Sequence, residues 1–264
     1  MELPYSSDPF FTPLAENTSG IVLPKYFTDP FNCAQHPVAL LAATALQQHL
    51  CTQKNWVHNF GLQPGMEGRA IGKMFGVLVV ENTSGELGYL SAFSGKLAGG
   101  NHHPGFVPPV YDSLFEGSFL NTGLAEVTQI NLRIKDLERE GDEKSLEQAA
   151  QLRELRRSNS IEMQEKLFDS YFFLNQRGEE KGLRDIFKTT AVGKPPAGAG
   201  ECAAPKLLQY AFQNQMKPIA IAEFWWGHSE KVVSWKHGEF YPACKEKCAP
   251  ILKHMLEGFK LTKL

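Results

Sequence analysis

The 264-residue chain has no apolar run near the ~20 residues that a membrane-spanning helix needs. Its longest ones, Phe75–Val80 and Pro218–Trp226, are far shorter. The N-terminal string MELPYSSDPF lacks the basic stretch and apolar core of a secretory signal. Charge of one sign is missing too. The 27 basic and 29 acidic residues give a formal charge of −2, which excludes a protein that coats nucleic acid by charge alone but not a local basic patch. Cysteine is scarce and odd in number, with five residues. Without an export signal, that count predicts a cytoplasmic protein with free or metal-bound thiols. No Gly-x-Ser-x-Gly string is present, so a serine hydrolase has no support. The AGAG string at 197–200 leads into a helix but lacks the GxxxxGK[ST] pattern, and Lys206 comes too late for a phosphate-binding loop. No repeat or low-complexity tract occurs.

What is present reads as one domain, 1–264. Hydrophobic residues make up 42% of the chain, enough for a sizeable core. Residues 1–36 show no steady periodicity and read as an irregular arm that packs Phe10, Phe11, Tyr26, Phe27 and Phe31 onto a body. Pro37 suits a first helical position, and Val38, Leu41, Ala42, Ala45, Leu46 and His49 recur at helical spacing to about Gln53. KMFGVLVVEN, TSGE and LGYLSAFSGKL predict a β-hairpin over 72–97, with Gly85 in the turn and Val77–Val80 covered on both faces. Residues 125–188 read as a helical insertion. Between Arg133 and Arg157 the seven basic and seven acidic residues suit a salt-bridged helical hairpin. A helix opening at Cys202, a strand over 218–226 and a last helix opening near Cys244 complete the chain. His102 and His103 lie among Gly and Pro and read as loop residues. Trp225 and Trp226 read as core and rim of the strand.

Chemistry concentrates in Cys202, Cys244 and Cys248. On a helix, the four-residue spacing of Cys244 and Cys248 puts both sulfurs on one face, able to reach one metal. Cys202 opens a separate helix, and two helix N-termini meeting at one point favour thiolates. Three thiolates plus water make an open tetrahedral zinc site, with Glu201, His228 or His237 as alternative fourth ligands. Buried, reduced cysteines are the competing reading. Cys33 and Cys51 read as structural.

The order helix, strand, strand, helix at Cys202, strand, helix near Cys244 resembles the cytidine-deaminase-like fold. In that family a ligand opening the second helix and two cysteines opening the third hold zinc, which here matches Cys202, Cys244 and Cys248. The family's Pro-Cys-x-x-Cys is replaced by Pro242-Ala243-Cys244-x-x-x-Cys248. The Glu that shuttles protons two residues after the first ligand is replaced by Ala204. Glu201 and Glu223 are the candidate substitutes. A second resemblance spans nearly the whole chain. GKMFGVLVVENTSGELGYLSAFSGKL, FVPPVYD, PPAGAGECAAPKLLQYAF, AEFWWG and YPACKEKCAPILKHML resemble the N-terminal extension of long RluA-type RNA pseudouridine synthases of bacteria. The Arg-Leu-Asp segment that carries that family's catalytic Asp is absent; the nearest string, Leu183-Arg184-Asp185, has the wrong order.

Together these resemblances imply an α/β fold: a mixed sheet with flanking helices, cytidine-deaminase-like, carrying a coiled-coil-like helical insertion. They imply a zinc-binding, RNA-modification-associated module whose partner is a pseudouridine synthase catalytic domain or ribosomal or transfer RNA. The alternative is a zinc-dependent deaminase or hydrolase acting on a nucleobase or related amidine.

Overall fold

The structure, a computed structural model, describes residues 8–14, 18, 20–32, 34–115, 117–229 and 234–262. The chain forms two compact units. One contains the residues up to Val110 together with those from Phe172 onward; the other is Tyr111–Tyr171. No helix among the described residues is long and apolar enough to cross a membrane.

In chain order the first unit holds β1 (Thr12–Pro13), β2 (Phe27–Thr28), α1 (Pro37–Thr52), β3 (Ile71–Glu81) and β4 (Leu87–Phe93). The second unit holds α2 (Phe119–Glu140) and α3 (Glu143–Asp169). The first unit then resumes with β5 (Phe172–Leu174), β6 (Glu180–Gly182), α4 (Leu183–Lys188), α5 (Ala203–Gln213), β7 (Lys217–Ser229), β8 (Phe240–Tyr241), α6 (Ala249–Met255) and β9 (Leu261–Thr262).

The protein is α/β, with a five-stranded sheet in the order β1-β4-β3-β7-β8. Every pairing in this sheet is antiparallel, so the expected mixed sheet is corrected; the parallel pair β2–β9 stands apart. Strands β4 and β7 both run against β3, one on each side, and are therefore parallel to each other. That is why a helix, α5, lies on the connection between them, as in a crossover that skips one strand.

Strand alternation assigns the two faces. Phe75, Val77 and Val79 share a cluster with Val38, Ala42 and Leu46 of α1. A Cβ added to Gly76, one position along, would meet Ala203 and Leu207 of α5. Val77, Leu78, Val79 and Val80 are each fully buried, because helices cover both faces. The hairpin turn has Gly85 at φ +80, with Asn82 Oδ1 accepting the Ser84 and Glu86 N–H groups. His36 caps α1 by accepting the Val38 N–H on Nδ1 at 3.2 Å.

The described residues of the arm join the body through regular structure. Its strand β1 extends the sheet edge, Phe11 and Phe27 are buried, and Thr28 Oγ1 accepts the Ile221 N–H at 3.0 Å. Cys33 lies outside the described residues. Cys51, read as structural from sequence, is an exposed residue of α1.

In the second unit, Ser118 caps α2, Gly141 ends it at φ +73, and Asp142 caps α3 by accepting the Ser145 N–H. Ile134, Leu137 and Ala149 form its buried seam, with Ile130 and Leu152 beside it. Arg153 pairs with Glu138, and Arg156 donates to Asn131 at 2.7 Å, so the charge-dense stretch is a hairpin laced across its two helices. The helical reading of 125–188 holds in α2, α3 and α4 but fails between Asp169 and Leu183. There Asn175 Oδ1 accepts the Arg177 and Glu179 N–H groups and Gly178 takes φ +79, turning the chain into the β5–β6 hairpin. The last helix is also shorter than its apolar spacing predicts, because Gly258 at φ +93 ends the turn after Met255.

Candidate metal centre

The glycine-rich approach to α5 sets the first ligand. Gly198 and Gly200 take positive φ, and the Glu201 carbonyl accepts the Gly95 N–H at 2.8 Å, tying the turn to the end of β4. Cys202 is the N-cap of α5, yet its side chain makes no capping bond to the helix backbone. Its sulfur is left for other partners. On the other side, Ala243 is anchored by its N–H to the Pro30 carbonyl, and the Cys244 carbonyl accepts the Ala249 N–H. The segment 245–248 is a turn rather than the expected first turn of a helix, and α6 starts only after its N-cap, Cys248. The two sulfurs still meet, at 3.4 Å. All three thiol sulfurs lie within 4.8 Å of one another, close enough to hold one metal ion.

The thiols are electrostatically coupled. Hydrogen bonds with Cys202 and then Cys248 hold the Cys244 thiol far below its ordinary value. The bond with Cys244 pushes Cys202 up, and the bonds with Cys202 and Cys244, together with burial, push Cys248 up. One thiolate forms readily and the next two resist, and a cation bound among them would offset that mutual repulsion.

The thiols border an open cavity of about 700 Å³, shared with Lys73, Ser94, Glu223, Trp225, Trp235 and Tyr241. Glu223 stands in the middle of β7, not at a strand end, and is buried. Its Oε1 accepts the Ala204 N–H at 3.3 Å. Burial pushes its carboxyl up to about 7, with the Ala204 N–H pulling it down and Cys244 adding to the rise. Glu201 is not among the residues that border the cavity; its charge acts on Lys73 and Lys206 instead. His228 and His237 form their own ring contact at 6.2 Å, and His237 Nδ1 accepts the Gly227 N–H. Among the described residues, no His, Asp or Glu joins the three thiols as a fourth ligand. His103 holds the loop through Nε2 to the Leu97 carbonyl.

Sequence reasoning missed two features of the site. Gly72 and Gly76 face the cavity side of β3. A Cβ on Gly72 would lie 2.5 Å from the Trp225 ring, and one on Gly76 would lie 3.0 Å from Ala203 Cβ. Their bare backbones let the indole and the start of α5 approach the sheet. Glycine inside a strand is a signal for such an approach. The second is the aromatic wall. Trp225 and Trp235 are 4.6 Å apart between ring centroids, with Tyr241 next to Trp235 at 6.0 Å. Trp225 Nε1 is buried and has no hydrogen-bond partner among the described residues.

Comparison of the chain with models of protein families, with curated proteins and with solved structures gives no match.

Proposed function

We propose that this chain is a zinc-dependent hydrolase that replaces the amino group of a flat amidine-type ring, such as a nucleobase, by oxygen. The observation that carries the reading is the buried Glu223 carboxyl beside an open three-thiol cluster in one cavity. The donor set fits zinc. Bonds of about 2.3 Å in a tetrahedron put sulfurs about 3.8 Å apart, and the three thiols approach one another to between 3.4 Å and 4.8 Å. Zinc bound there by Cys202, Cys244 and Cys248 supplies a Lewis acid that brings water to its deprotonation range near neutral pH.

The chain's own residues supply the rest. Glu223 arrives from β7 at the backbone of Ala204, the position where the resembled deaminases carry their proton-shuttling Glu. One oxygen is fixed by the Ala204 N–H. The other is left to take a proton from water and deliver it to the departing amino nitrogen. Trp225, Trp235 and Tyr241 give a planar substrate a wall to lie against. The succession of α1, the β3–β4 hairpin, α5, β7 and α6 supports the cytidine-deaminase-like reading.

A second reading follows from Ala204 and from the resemblance to pseudouridine synthase extensions. In it the zinc is structural and the chain is an RNA-associated module that serves a pseudouridine synthase catalytic domain. The experiment is ammonia release from cytidine, adenosine and RNAs containing them, using zinc-loaded protein and Glu223→Gln. The hydrolase reading expects release that the Gln variant loses while keeping about one zinc per chain. No release from any of these substrates would overturn it in favour of the module.

A further inference from the structure

The three thiols share one site but not one environment. Cys244 and Cys202 are partly exposed, whereas Cys248 is only 1% exposed. A hydroperoxide entering the cavity therefore meets Cys244 before Cys248. The Cys244 and Cys248 sulfurs, at 3.4 Å, need to approach by only about 1.4 Å to reach a disulfide bond length. They belong to one short turn. The Ala249 N–H on the Cys244 carbonyl closes that turn and holds the two cysteines together. Cys202 stands on a different element whose position is fixed. The Glu201 carbonyl accepts the Gly95 N–H, and Lys206 Nζ donates to the Phe93 and Gly95 carbonyls at 2.9 and 3.2 Å. Joining Cys202 to either partner would drag the start of α5 against those bonds.

We propose that Cys244 and Cys248 form a thiol–disulfide switch that closes the metal centre when the metal is lost under peroxide. This rests on the reading of the thiols as a metal site and not on the hydrolase reading. The Cys244 sulfur attacks one peroxide oxygen, the O–O bond breaks, and the leaving oxygen departs as water with the thiol proton. The resulting sulfenic acid is attacked by the Cys248 sulfur. The S–S bond forms, the S–O bond breaks, and a second water leaves. Two thiols give up two electrons to hydrogen peroxide and yield a disulfide and two waters. Two of the three ligands are then consumed, and Cys202 alone holds no metal. Bound metal engages the same sulfur lone pairs and keeps the switch open.

The test uses the full chain. Metal content is measured first. The protein is then treated with hydrogen peroxide, either zinc-loaded or after chelation. Remaining thiols are alkylated and the peptides mapped without reduction. Expected in the chelated protein is one Cys244–Cys248 cross-link, with Cys202 and Cys51 still alkylated, and zinc uptake restored by dithiothreitol. Cys248→Ser stops at a sulfenic acid on Cys244 that dimedone traps, and Cys244→Ser gives neither product. Zinc-loaded protein keeps both thiols alkylatable over the same exposure. A chain that takes up no metal refutes the metal reading, and the switch with it, at the first measurement. A chain that binds zinc but cross-links Cys202, or forms no cross-link, refutes the switch alone.

Discussion

Replacing Gly76 by Ala tests how the sheet and α5 set the metal centre. The added Cβ would sit 3.0 Å from Ala203 Cβ, 3.1 Å from Leu207 Cδ1 and 3.4 Å from Glu223 Cγ. Carbon pairs settle at about 3.5–4.0 Å, so Ala203 and Leu207 must give way by roughly half an ångström, while Glu223 is already near contact. Leu207 can shift a rotamer. Ala203 has no side-chain freedom, so the start of α5 must retreat. Overpacking of this kind costs about 1–3 kcal/mol, offset by about 0.5–1 kcal/mol because glycine in a strand is itself unfavourable. The net loss of about 1–2 kcal/mol lowers the melting temperature by roughly 2–8 °C for a protein of this size. Because Cys202 precedes Ala203, the same retreat pulls one sulfur from the other two and weakens metal binding by about 10–100-fold, the range seen when a site's supporting groups are disturbed. Thermal melts of the metal-free protein and zinc competition against a chromophoric chelator read the two effects separately. A Gly76→Ala protein that melts lower yet binds zinc as tightly as the wild type would refute the coupling between the β3 backbone and the ligand set.

His36, His58 and His237 each accept a backbone N–H on Nδ1, from Val38, Ala98 and Gly227 respectively. Burial is the main cause that holds all three below their usual value, so the stability they provide is present above about pH 6.5 and lost as pH falls through their folded-state values. Urea midpoints between pH 5 and 8 read this loss, and His36→Asn, which keeps a capping acceptor that does not titrate, should shrink it. Burial lowers the Lys206 ammonium to about 8 from 10.5, so the unfolded chain binds the extra proton between those values. Relative to Lys206→Met, the wild type should gain about 3 kcal/mol from pH 8 to 10.5, and an equal pH response of the two proteins would contradict the buried charge. Gly227→Ala combines φ +94 with a Cβ only 2.5 Å from the Phe60 carbonyl oxygen. It should cost about 2 kcal/mol or more, read as a lowered urea midpoint with unchanged slope.

The sequence by itself determined the elements whose pattern is local. Periodicity and Pro37 located α1, the apolar runs around the Ser84-Gly85 turn located β3 and β4, and the four-residue spacing singled out Cys244 and Cys248. Each depends on residues a few positions apart, so propensity and turn chemistry suffice. The tertiary structure decided what depends on residues far apart. It made the sheet antiparallel throughout, because β7 returns on the free side of β3. It brought Cys202 to Cys244 and Cys248 across some forty residues. It ended the insertion's helices at Asp169, where Asn175 and Gly178 supply a turn that helical spacing had overridden. It also turned Glu223 from a residue of an apolar strand into the buried carboxyl beside the thiols. No local pattern encodes that, because the two bare glycines that open the space lie on the neighbouring strand.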